Sequence, residues 1–134
     1  MDRKEFLKKS GCGMLCYSTV PFFLNNLTDQ VQPQKRKRFK IEIEIFEALE
    51  NTWCHKKGDK FQYPADIGKI CPWLLSSMHD IIRLLEYDAT LTWTYEGTPY
   101  EKIINQNGIT TEFVRCPDPT SNLVAKIIRT EINQ

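Results

Sequence analysis

"FKIEIEIFEAL", residues 39–49, decides the fold class. Apolar Phe39, Ile41, Ile43 and Ile45 alternate with charged Lys40, Glu42 and Glu44. A period of two sends successive side chains to opposite faces of a strand, so one face is buried and the other wet. That pattern belongs to an antiparallel sheet covered on one side. Downstream, Pro72 suits a first helical position, where its missing N–H would have no partner anyway. Leu74, Leu75, Met78, Ile81, Ile82 and Leu85 then recur with helical spacing as far as Tyr87, giving one broad apolar face.

The remaining elements follow from breakers and β-prone runs. Lys57-Gly58-Asp59 reads as a loop leading into a short strand at Lys60–Tyr63, and Pro64 and Gly68 bracket another turn. "ATLTWTYEG", residues 89–97, is rich in Thr and aromatics and reads as a strand. Residues 97–111 read as a mobile connection, broken by Gly97, Pro99 and Asn107-Gly108. "TEFVRC" (111–116) is a strand stopped by the turn "PDPTSN" (117–122), and "LVAKIIRTEI" (123–132) is the last strand. The expected fold is α+β: a small, mostly antiparallel sheet of four or five strands with one main helix packed across it.

Upstream of Phe39 the chain changes character. Residues 1–38 carry eight Lys/Arg and three Asp/Glu, which leaves ten Lys/Arg against fourteen Asp/Glu in the rest of the chain. A domain near −4 is a poor match for nucleic acid, whose phosphates call for clustered positive charge. The run from Gly11 to Leu24 is shorter than the ~20 apolar residues of a standard membrane span and fits a signal core better. "DRKEFLKKSG" resembles a twin-arginine export signal. Arg3, Phe6, Leu7 and Lys8 match that pattern, while Lys4 replaces the second arginine and no A-x-A cleavage site follows. The alternative is an amphipathic N-terminal segment. The expected organisation is a leader at 1–27, a basic polar linker at 28–38 and a three-cysteine domain at 39–134. The expected location is the periplasm, or the cytoplasm if the leader does not work as a signal.

Of five cysteines, Cys12 and Cys16 lie in the leader, and Cys54, Cys71 and Cys116 lie in the domain. Three is an odd number, so a closed disulfide framework cannot use them all. Each stands at the end of an element, where a group is held rigidly yet stays reachable. Cys71 occupies the expected helix N-cap, whose free N–H groups and positive dipole end favour a thiolate. Soft sulfur ligands with an imidazole suit zinc, copper(I) or iron, so Cys54, Cys71, Cys116 and His55 form a candidate metal set. There is no C-x-x-C, however; the cysteine gaps are 17 and 45 residues. His79, well inside the helix, reads as a structural or surface histidine.

Two rivals stand beside the metal reading. Cys71 with Cys54 or Cys116 can act as a thiol–disulfide pair with a redox partner. Small cysteines can also simply pack as hydrophobes, in a structural module that buries its strand edges in a homo-oligomer. Core packing is the simplest role for Trp53, Trp73 and Trp93, and a pocket wall for a flat ligand beside the cysteines is the alternative. No Ser-His-Asp set, phosphate loop or nucleotide fingerprint is visible.

Residues 40–131 resemble a family of small uncharacterised prokaryotic proteins with three recurring cysteines. The likeness rests on "CHKKGDKF" (Cys54–Phe61), "ICPW" (Ile70–Trp73) and "CPDP" (Cys116–Pro119), in that order. It implies that the three cysteines act as a set, and it supplies no activity.

Overall fold

The computed structural model describes residues 36–132 of the chain; the leader, Cys12, Cys16 and most of the basic linker lie outside the described residues. Among the described residues the strands are β1 (Arg38–Glu47), β2 (Lys60–Tyr63), β3 (Ile109–Arg115) and β4 (Val124–Ile132), with one α-helix, α1 (Pro72–Glu86), preceded by a 3-10 turn at Ile67–Lys69. All pairings are antiparallel and the strand order is β2-β1-β4-β3. This is the expected α+β architecture with four strands.

The alternation in β1 does what its spacing requires. Ile41, Ile43 and Ile45 are buried, while Lys40 is exposed and Glu42 and Glu44 lie half-buried on the other face. Their partners on β4 are Arg129, Ile127 and Ala125. Helix α1 lays Leu74, Met78, Ile82 and Leu85 onto this face, all buried, which closes one core. Each such side chain contributes about 1.5–3 kcal/mol of transfer free energy, so β1, β4 and α1 dominate the stability of the domain.

One inward position of β4 is charged. Arg129 is 1% exposed and ties the sheet to the end of α1. Its guanidinium donates to the Leu85 carbonyl (3.4 Å) and to Thr110 Oγ1 (2.9 Å), and it lies 3.2 Å from Asp88. Phe39 packs beneath the guanidinium carbon at 4.5 Å. Cationic donors suit a helix C-terminus, where carbonyls lack partners and the dipole is negative.

The stretch expected as a strand at 89–97 is not one. Between Glu86 and Ile109 the chain is irregular, and Tyr95 adopts a left-handed φ of 55°, which interrupts an extended run. A buried cation reorganises it instead. Lys102 Nζ sits 4.8 Å from the Trp93 ring centroid and 5.2 Å from that of Tyr95. It also bonds both Glu112 carboxylate oxygens, at 2.9 and 3.0 Å. Nor is the 97–111 connection loose. Lys102 N–H donates to the Thr94 carbonyl (2.9 Å), and Ile103 exchanges two bonds with Thr111 (2.8 and 2.9 Å). These bonds pin the segment along the outer edge of β3, so that edge is covered rather than open for further pairing. Strand β3 accordingly begins at Ile109, two residues earlier than the β-prone run suggests.

Candidate functional site

The segment carrying Cys54 and His55 is a tight return from β1 to β2. Gly58, at φ 93°, donates its N–H to the Ile45 carbonyl (2.8 Å), and Asp59 Oδ2 accepts the Lys56 N–H (2.9 Å). A left-handed φ is open to glycine without a Cβ penalty, which explains Gly58 at this corner. Thr52 Oγ1 donates to the Ser121 carbonyl (3.3 Å), tying the same segment to the turn that follows Cys116. That turn is closed by Asp118, whose Oδ1 accepts from both the N–H and the hydroxyl of Thr120, at 2.8 and 2.7 Å. These bonds hold the carboxyl of Asp118 below the usual carboxylate range.

Cys71 is the N-cap of α1, with Pro72 next to it, and its carbonyl accepts the Leu75 N–H at 2.9 Å. No side chain caps the helix at this position. Cys54 and Cys71 are each half-buried and Cys116 is buried, and all three are free thiols. Cys116 belongs to the buried core, and Cys54 and Cys71 pack against that same core cluster. Burial first, then the charge of Cys71, push the Cys54 thiol up, and the His55 backbone N–H offsets part of this. Three stretches far apart in the sequence therefore contribute their cysteines to one core cluster.

His55 approaches Cys71 from another side. Its ring is buried, and Nε2 accepts the Cys71 backbone N–H at 2.8 Å. The other nitrogen, Nδ1, lies 4.0 Å from Asp59 Oδ2, and Phe61 meets the ring at 5.2 Å. A nitrogen that accepts an amide proton is unprotonated, so Nδ1 carries the hydrogen and faces the carboxylate. Neighbouring side chains diverge in an extended chain, and here His55 reaches the Cys71 amide while Cys54 packs on the core cluster. His79 lies on the exposed side of α1, beside Asp80 at 3.7 Å. Among the described residues, no group of three or more His, Cys, Asp or Glu is arranged as it stands to hold a metal ion.

Burial holds the His55 imidazole below its ordinary value of 6.5, with Asp59 partly offsetting the effect. The unfolded chain therefore binds this proton more readily than the native one. The stability that His55 contributes is complete above about pH 6.5 and is lost as pH falls through that value, levelling off below the depressed native pKa. Urea midpoints should accordingly fall more steeply between about pH 7 and pH 5 in the native chain than in His55→Gln, whose amide does not titrate there. Parallel curves would remove His55 as the cause.

The tryptophans depart from the core role expected of them. Trp53, Trp73 and Trp93 are 80%, 61% and 51% exposed. Trp53 directly precedes Cys54, and Trp73 follows Cys71 by two residues. The sequence signal for this was present, since Trp53 lies outside any periodic run and Trp73 falls off the apolar stripe of α1. A pocket of about 180 Å³ is lined by Tyr95, Tyr100, Phe113, Arg115 and Val124, none of them a cysteine.

No family model, no curated protein and no solved structure matches this chain. Among the described residues, no helix is long and apolar enough to cross a membrane.

Proposed function

We propose that this protein is an exported thiol–disulfide module whose working pair is Cys54 and Cys71. The observation that carries this reading is the packing of these two free, half-buried cysteines on one core cluster, with the Cys71 N–H bonded at 2.8 Å to His55, the sequence neighbour of Cys54. Burial and the Cys71 charge push the Cys54 thiol up, and Cys71 stands at the N-terminus of α1, so the first attack is assigned to Cys71. The Cys71 thiolate attacks one sulfur of a partner's disulfide, and the other sulfur leaves with the electron pair and takes up a proton. Cys54 then gives up its proton and attacks Cys71 Sγ, expelling the partner's second sulfur as a thiol. The partner gains two electrons and two protons, and the module ends with a Cys54–Cys71 disulfide. Export through the twin-arginine-like leader, carried by Arg3, Phe6, Leu7 and Lys8, would deliver the folded module to an oxidising compartment, where such exchange is in use.

A second reading has its own support, because Cys116 lies in the core cluster on which Cys54 and Cys71 pack. A soft cation drawn between Cys54, Cys71 and Cys116 would relieve the charge repulsion that, after burial, pushes the Cys54 thiol up. Zinc, copper(I) and iron fit three thiolates. His55 is the weakest member of such a set, since its Nε2 already holds the Cys71 amide.

One experiment weighs both readings. Reduced protein is exposed to oxidised glutathione, the linkage is mapped by mass spectrometry, and the metal content of an anaerobic preparation is measured alongside. The expected result is a Cys54–Cys71 disulfide that persists in Cys116→Ser and is absent in Cys54→Ser and Cys71→Ser. About one equivalent of zinc, copper or iron, lost in all three serine variants, would instead establish the metal centre. Neither disulfide nor metal would leave the cysteines as packing residues and sink both proposals.

A further inference from the structure

We infer that the disulfide brought to this site belongs to a polypeptide, held by an apolar, acidic segment that docks on Trp53 and Trp73. The inference rests on the thiol–disulfide reading and names its substrate class. Because His55 Nε2 holds the Cys71 N–H at 2.8 Å, the backbones of Trp53 and Trp73 are bound to the same neighbourhood: consecutive Cα atoms are ~3.8 Å apart, and each tryptophan is two residues from one end of that bond. Both indoles stand in solvent, 80% and 61% exposed, although buried core positions are open to large apolar side chains elsewhere in the domain.

Exposed tryptophan is a concentrated source of binding energy, because a rigid ring of large area loses little conformational entropy when covered. A small disulfide such as oxidised glutathione has no apolar surface to place on two indoles. A peptide with apolar side chains beside its cysteine does. The charge of the adjoining loop selects further. Between Cys54 and Phe61 stand Lys56, Lys57 and Lys60 against Asp59 alone, and Lys56 and Lys57 are exposed. The carboxylate of Asp59 is already engaged by the Lys56 N–H and faces His55. Lys60 lies 4.0 Å from Glu44, which leaves Lys56 and Lys57 as a positive pair on a domain whose residues 39–134 carry ten basic and fourteen acidic side chains. An acidic segment is drawn to that loop and a basic one is repelled.

The test compares two mixed disulfides sharing one leaving group, thionitrobenzoate. One is built on N-acetylcysteine, the other on a short peptide with Leu and Glu flanking its cysteine. The peptide should react about tenfold or more faster with the native chain, the scale of one good aromatic anchor. In a Trp53→Ala, Trp73→Ala double variant the peptide rate should fall to that of N-acetylcysteine, whose own rate stays unchanged and so reports an intact site. Replacing Glu by Lys in the peptide should slow it, and added salt should remove that difference. Equal rates for the two reagents in the native chain, or a peptide preference that survives loss of both tryptophans, would overturn the docking surface. A failure of the underlying reading looks different: the first leaving group departs, but no Cys54–Cys71 disulfide follows with either reagent.

Discussion

Replacing Lys102 by Ala should destabilise the domain by about 3–5 kcal/mol near neutral pH, the scale of a buried pair broken on one side only. The Lys102 side chain is wholly buried and that of Glu112 is 5% exposed, so water screens neither charge. The ammonium bonds both carboxylate oxygens and is flanked by the rings of Trp93 and Tyr95. Deleting it abandons a carboxylate in a low dielectric and removes the centre around which residues 93–102 are gathered. The abandoned group must then stay charged at high cost or take up a proton. The loss should therefore shrink as pH is lowered. A Lys102→Met, Glu112→Leu double variant should recover much of the stability, because apolar replacements of a buried pair often come out near neutral. Urea unfolding of the three proteins at two pH values checks this. A loss below about 1 kcal/mol, or a double variant worse than the single one, would show that the pair is not the anchor of this segment.

That same pair marks where sequence reading ran out. Strands β1 and β4 and helix α1 were legible because each repeats a binary pattern over several turns or pleats, and burial of one face enforces it. Residues 89–97 carry no such repeat. Their Thr and aromatic content suits a strand, but propensity of this kind reports how well a side chain fits a half-buried sheet. Here the rings of Trp93 and Tyr95 serve a cation seven or more residues downstream, and the left-handed Tyr95 ends any extended run. Arg129 shows the converse. Its inward position follows from the alternation of β4, while its partners at the end of α1 come from a helix 44 residues away in the chain.

The cysteines divide in the same way. Their places at element ends could be read locally, from the proline after Cys71, the "CPDP" stop and the loop around Gly58. Their convergence could not, because gaps of 17 and 45 residues encode no geometry until sheet order and helix placement are known. The exposure of Trp53 and Trp73 escaped for a related reason. Hydrophobicity alone assigns tryptophan to the core, whereas its position relative to the apolar stripe of α1 assigns Trp73 to the surface.

His55→Ala should carry the second large effect, about 2–4 kcal/mol of stability together with a damaged dithiol. The imidazole is 7% exposed, so its removal leaves a cavity beside Phe61 and takes away the acceptor of the Cys71 N–H. That amide is the entry point of α1, and its residue carries the sulfur that attacks in the proposed exchange. A helix start that has lost its tether can shift by a fraction of an ångström, and proximity effects fall steeply with such displacements. Formation of the Cys54–Cys71 disulfide should slow by roughly tenfold or more, while alkylation of Cys71 by iodoacetamide holds or rises as the site opens. His55→Gln, which keeps an acceptor of similar reach, should restore part of both the stability and the rate. The two readouts separate positioning from bulk packing. If His55→Ala lost stability yet closed its disulfide at the native rate, the histidine would be a core residue that happens to touch Cys71. If Gln rescued the rate more fully than the stability, the hydrogen bond to the Cys71 amide would be what sets the geometry of the pair.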